Sequence, residues 1–117
     1  MAVKKFEDLI VWQKAQDLAV VLYQHFSTLK DFAFRDQLLR ASVSISNNIA
    51  EGFDRRTNTD FIRFLYISIS SNSEVRSKLY LADRLNYLEE DEIAKLIEAS
   101  NEISKMLYGL IQSMKKN

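Results

Sequence analysis

Few side chains in this 117-residue chain can do chemistry, and they are one histidine, one acidic run and a set of arginines. His25 is the only histidine. A general base needs an orienting partner and a positioned nucleophile, and no neighbour in sequence supplies either, so a surface position is the simpler reading. Di-iron centres in four-helix proteins need Glu-x-x-His pairs on two helices. The residue three before His25 is Leu22, which excludes that site. Helical ribonucleases with an arginine followed shortly by a histidine are excluded too, because every arginine follows His25. The run Glu89-Glu90-Asp91-Glu92 invites a metal ion, but four consecutive helical positions point around the axis and cannot converge on one. These carboxylates suit the positive end of a helix instead. The chain therefore reads as non-enzymatic, with no catalytic residue, metal site or cofactor.

The arginines are better candidates. All seven lie between Arg35 and Arg84, with Arg55 and Arg56 adjacent and Arg63 shortly beyond. Guanidinium forks match phosphate oxygens, which makes Arg40, Arg55, Arg56 and Arg63 the candidate nucleic-acid contacts. Ordinary ion pairing competes with that reading. Asp31 and Arg35, Asp36 and Arg40, and Glu51 and Arg55 are each four apart, the spacing of pairs on a helix surface. Sixteen basic residues balance sixteen acidic ones, so nothing pulls the whole chain toward nucleic acid or anionic lipid. Binding would need a local patch, and self-association would multiply a modest one.

The elements that position these residues follow from the scarcity of breaks. Proline is absent and there are two glycines, so three interruptions divide the chain into four predicted helices, about Asp8 to Leu29, Phe34 to Gly52, Asn58 to Asn86 and Glu89 to Lys115. Gly52 is expected to close the second helix in the left-handed conformation, and Thr57-Asn58-Thr59-Asp60 reads as a capping box. Lys115 and Lys116 suit the negative end of the fourth helix. Short connections make an all-α, antiparallel, up-down-up-down four-helix bundle the simplest arrangement, with residues 1–117 as one domain. There are no cysteines, hence no disulfide framework and no cysteine zinc site. No export signal is visible at the N-terminus, and no stretch approaches the ~20 apolar residues of a membrane span. A cytoplasmic protein with no membrane partner is expected.

The run Ser42-Val43-Ser44-Ile45-Ser46 alternates like a strand. On a helical wheel, however, Arg40, Ser44, Asn47 and Glu51 share one arc while Leu38, Ile45, Ile49 and Gly52 share the opposite one. Helix is the reading, with Ser42 and Ser46 bonding back to the preceding turn and admitting a close neighbour. The fourth helix has a single apolar stripe, through Ile93, Leu96, Ile103, Leu107 and Ile111. The first has a core stripe through Trp12, Ala15, Leu18, Leu22, Tyr23 and Phe26, but Ile10, Val20 and Val21 fall outside it. The third has a core stripe through Phe61, Phe64, Leu65, Val75 and Leu79, and a second through Ile62, Tyr66, Ile69, Ser73 and Tyr80. Two apolar faces on one helix require two buried surfaces. Self-association through Ile10, Val20, Val21, Ile62, Tyr66, Ile69 and Tyr80 is therefore expected.

Three stretches together resemble a known family: Phe6-Glu7-Asp8-Leu9-Ile10-Val11-Trp12-Gln13-Lys14-Ala15; Arg40-Ala41-Ser42-Val43-Ser44-Ile45 with Asn48-Ile49-Ala50-Glu51-Gly52; and Phe61-Ile62-Arg63-Phe64-Leu65 with Glu74. They are similar to the bacterial four-helix-bundle proteins encoded in intervening sequences of 23S ribosomal RNA genes, some of them labelled ribosomal proteins. The sequence differs at Ser68 and Ser70, where that family more often has alanine and glycine. The resemblance implies a ring-like homopentamer with no established enzymatic activity. It also implies a relation to the accessory variability determinants of diversity-generating retroelements, which work with nucleic acid. The expected function is a non-catalytic oligomeric scaffold that binds RNA or DNA through arginines. The alternative is a scaffold that binds only protein, with Ser44, Asn47 and Glu51 as its docking face.

Overall fold

Capping side chains set where the second and third helices of the computed structural model begin; the structure describes residues 2–115. Phe6–Asp8 form a short 3-10 turn, and Leu9 is extended, so α1 spans Ile10–Phe26 and not the longer segment expected. The turn is tied to α1 by Gln13 Nε2, which donates to the Glu7 carbonyl at 2.9 Å. It also places Phe6 edge-on to Trp12, with centroids 5.3 Å apart. The second helix, α2, spans Phe32–Phe53 and starts two residues before the expected position. Asp31 is the reason: its side chain accepts from the Phe34 amide at 3.2 Å, satisfying one of the unpaired donors of the first turn. Thr57 does the same for α3, Asn58–Arg84, accepting from the Asp60 amide at 3.1 Å. The fourth helix, α4, spans Glu90–Lys115 and carries Glu90, Asp91 and Glu92 in its first turn. Lys116 lies outside the described residues.

Left-handed backbone occurs at Asn86, with φ 58°, and at no glycine among the described residues. Asn86 ends α3. The Tyr87 amide donates to the Ala82 carbonyl at 2.9 Å and the Asn86 amide to the Asp83 carbonyl at 3.1 Å, the paired bonds of a Schellman ending. Gly52 is corrected accordingly. It lies inside α2, and its missing side chain serves packing: a Cβ there would stand 2.6 Å from Phe64 Cβ and 2.9 Å from Phe61 Cδ1.

Short connections turn each helix back against the last, giving a four-helix bundle 46 Å long and about 20 Å across. The long axis agrees with the roughly 40 Å expected of a 27-residue helix. Contacts run α1 to α2, α2 to α3, α3 to α4 and α4 back to α1, so α1 and α3 are diagonal. The closest pairing is α2 with α3. Ser68, fully buried, donates to the Ile45 carbonyl at 2.7 Å, and Ser44 bonds Ser71 at 2.8 Å. Ser42 and Ser46 bond back to the Leu39 and Val43 carbonyls at 2.7 and 3.4 Å. Ser46 also accepts from Gln16 of α1 at 3.0 Å. The small polar run of α2 is thus the packing face on which two helices seat.

Two apolar assignments change. Ile69 is only 7% exposed and belongs to the core, because it sits where α3 meets α4, whereas Tyr66 and Tyr80 of the same stripe are exposed. Tyr23, expected in the core, is exposed, since α1 turns that side toward the rim of its groove with α2. Val21 and Ile62 are half-buried against the core. Ile10, Val20, Tyr66 and Tyr80 do face outward, with Ile67, Leu81 and Tyr108 exposed as well.

Candidate nucleic-acid interface

The α2–α3 turn brings three of the candidate arginines to one corner of the bundle. Gly52 lets α3 approach until Phe61 and Phe64 pack on the end of α2, and Phe61 meets Phe53 edge-on at 5.8 Å. Phe64 then serves as a platform. The guanidinium of Arg55 lies 4.6 Å from its ring centroid and that of Arg63 4.7 Å, within the range of cation–π attraction. Both groups rest on the aromatic ring, and Arg55 keeps its N–H groups available to an outside acceptor. Arg56 is exposed beside them on a small cleft with Thr57, Asn58 and Phe61. The cleft sits at the N-terminus of α3, where the helix dipole adds to the positive potential.

Asp60 is the one acid paired there, 3.6 Å from Arg63. Both side chains are about half exposed, so water screens the pair and it contributes little. The ion pairs read from four-residue spacing do not form. Asp31 caps α2 and accepts from Tyr87 Oη at 2.7 Å, while Arg35 pairs with Asp36 at 2.9 Å and lies over Phe32. Arg55 takes the aromatic face in place of Glu51. Competing local partners decided each case.

Arg40 does not join this corner. It lines a groove of about 740 Å³ between α1 and α2, with Tyr23, Asp36, Ser44, Asn47 and Glu51. Fifteen residues separate it from Arg55, roughly 20 Å along a helix at 1.5 Å per residue. The groove holds both charge signs, so it presents no net positive field.

His25 has a partner that sequence adjacency could not reveal: its Nε2 lies 3.4 Å from Glu92 of α4. With Lys14 and Glu102, 2.8 Å apart, this contact closes the α1–α4 seam. The hydrogen bond and charge of Glu102 hold the Lys14 ammonium above its usual range. Among the described residues, no group of three or more His, Asp or Glu side chains is placed to hold a metal ion. No described helix is long and apolar enough to cross a membrane.

Sequence reasoning missed a polar cluster between α3 and α4. Asn72, fully buried, donates to the Ser100 carbonyl at 2.8 Å and to Ser104 Oγ at 2.9 Å, and accepts from Ser100 Oγ at 2.9 Å. Its position on the apolar side of α3's wheel was the available signal.

The chain matches the family model described as 23S rRNA-intervening sequence protein over residues 7–109. Among solved structures it is similar to a protein of unknown function from the S23 ribosomal protein family of Bacteroides thetaiotaomicron VPI-5482. The two are 28% identical with a TM-score of 0.83, over 87% of this chain and 98% of that one. No curated protein matches the sequence significantly.

Proposed function

The chain belongs to the 23S rRNA-intervening sequence protein family, and from that premise we propose that it is a non-catalytic, homo-oligomeric scaffold that binds nucleic acid through the corner formed by Arg55, Arg56 and Arg63. One observation carries the reading. Arg55 and Arg63 share the Phe64 ring while Arg56 stands free beside them. Three cations gathered at a helix N-terminus and weakly neutralised form a phosphate-contact surface.

Assembly is part of the proposal. Tyr66 and Tyr80 stand on the outer face of α3 with Ser70, Ser73 and Ser77 exposed between them, a face small enough for a second helix to approach. Ile10 and Val20 add apolar surface on α1. A ring of five, the assembly implied by the family resemblance, would present the corner five times and convert weak phosphate contacts into avid binding.

The test is RNA and DNA affinity at two salt concentrations for wild type and for Arg55→Gln/Arg56→Gln/Arg63→Gln. Wild-type binding should weaken steeply with salt, and the triple variant should lose it with fold and assembly unchanged. Arg40→Gln should bind nearly as wild type. Absence of salt-sensitive binding in wild type would leave a protein-docking scaffold, with the mixed-charge α1–α2 groove as its surface.

A further inference from the structure

Arg76 differs from every other arginine of the chain. Arg35 and Arg63 have carboxylates, Arg55 an aromatic ring, and Arg40, Arg56 and Arg84 are exposed. Arg76 is half-buried, and among the described residues it makes no ion pair. A partly desolvated cation without a counter-charge is costly. Its Nη1 donates to Ser100 Oγ at 3.3 Å and to Ser104 Oγ at 3.4 Å, which supplies partial solvation but no charge.

The hydrogen-bond inventory shows what is left over. Ser100 gives its proton to Asn72 and accepts from Arg76. Ser104 accepts from both Asn72 and Arg76. Both lone pairs of Ser104 Oγ are thereby occupied, so its hydroxyl can act only as a donor. Buried Asn72 fixes this arrangement from below. Above it opens a groove of about 570 Å³ lined by Arg76, Ser104, Asn101, Lys105, Tyr108 and Ile69 among others. Lys105 also makes no ion pair among the described residues, and no carboxylate lines the groove. It therefore offers two cations and a surplus of donors, with the half-exposed ring of Tyr108 on its wall.

We propose that the α3–α4 groove is a phosphate-binding site, in which Arg76, Lys105 and the Ser104 hydroxyl hold a dianionic phosphoryl group. Two positive charges match a phosphate dianion, and three terminal oxygens use donors that a carboxylate would leave idle. The group comes either as free phosphate or as a phosphate monoester whose organic part lies against Tyr108. The site is separate from the arginine corner and stands or falls independently of it.

Calorimetric titration of the full chain with inorganic phosphate, AMP and adenosine tests the site. Wild type should bind at least one of the two phosphates and should not bind adenosine. Arg76→Gln and Lys105→Gln should each weaken binding by at least about tenfold, the scale of one charge-assisted hydrogen bond. Lys105 is exposed, so its variant remains informative if Arg76→Gln folds poorly. AMP binding more tightly than phosphate would identify the monoester as the ligand, and equal binding the free ion. Absence of binding to either phosphate would overturn the proposal. So would binding unchanged in the Lys105 variant, or binding abolished by Arg55→Gln/Arg56→Gln/Arg63→Gln.

Discussion

A side chain at Gly52 would place its Cβ 2.6 Å from the Cβ of Phe64, well inside van der Waals contact for non-bonded carbons. The clash is against the stem of Phe64 and not a movable tip, so the end of α2 and the start of α3 would have to separate. Gly52→Ala should destabilise the protein by about 1–3 kcal/mol, the usual cost of overpacking. It should also disturb Arg55 and Arg63, whose guanidiniums rest on the Phe64 ring. Gly109 is the control, because nothing lies within 4 Å of a Cβ there. Gly109→Ala should stabilise by about 0.5–1 kcal/mol through helix propensity alone. Urea unfolding of both variants measures the contrast, and equal effects would refute the close-approach account.

Asn72 is the buried polar hinge between α3 and α4. Asn72→Ala should cost about 1–3 kcal/mol, because the Ser100 hydroxyl is left without its acceptor in the core. Ser100→Ala in that background should cost less than in wild type, since the two groups satisfy each other. Additive losses in the double-mutant cycle would show that they act separately.

Stability should depend on pH through Asp31 and Tyr87. The Tyr87 hydroxyl and the Phe34 amide both donate to the Asp31 carboxylate and hold its pKa below the ordinary aspartate value of about 3.9. A carboxyl group with a lowered folded pKa stabilises above its unfolded pKa, and loses that contribution as pH falls through the folded value. The same bond raises the Tyr87 pKa, so the tyrosine's share is complete below its unfolded pKa and is lost as pH rises through the folded one. Asp31→Asn should flatten the acid limb of a thermal-stability profile, and Tyr87→Phe the alkaline limb. Profiles parallel to wild type at both ends would rule out the linkage.

Burial separates the proposed assembly surface from the core within α3. Tyr80→Glu and Val20→Glu should yield monomers of 13.6 kDa with helix content retained, because both side chains are more than half exposed. Ile69→Glu and Leu107→Glu should instead unfold the subunit, each placing an unpaired carboxylate in the core at a cost of several kcal/mol, on the order of 3–5. Light scattering and circular dichroism read the two outcomes. Wild type scattering as a monomer at micromolar concentration would remove the assembly from the proposed function.

The four helices and their order are legible in the chain's periodicity, because apolar residues recurring near every fourth position in a chain without proline leave few alternatives. Ser42 and Ser46 were legible as inward-facing as well, since the wheel put them beside Ile45 and Ile49, and both are buried. Caps were legible where the chemistry is local, as at Thr57 and Asp60. Partners distant in sequence account for the rest. Which side of α3 meets α4 settled that Ile69 is core and Tyr80 is surface. The approach of α3 to α2 made Gly52 a packing residue and Asn86 the left-handed one. Arg55 chose the ring of Phe64 over Glu51, and His25 met Glu92 across 67 residues of chain. Periodicity fixes which face of a helix is apolar, but the angle at which neighbouring helices pack decides how far that face extends, and no local pattern encodes the angle.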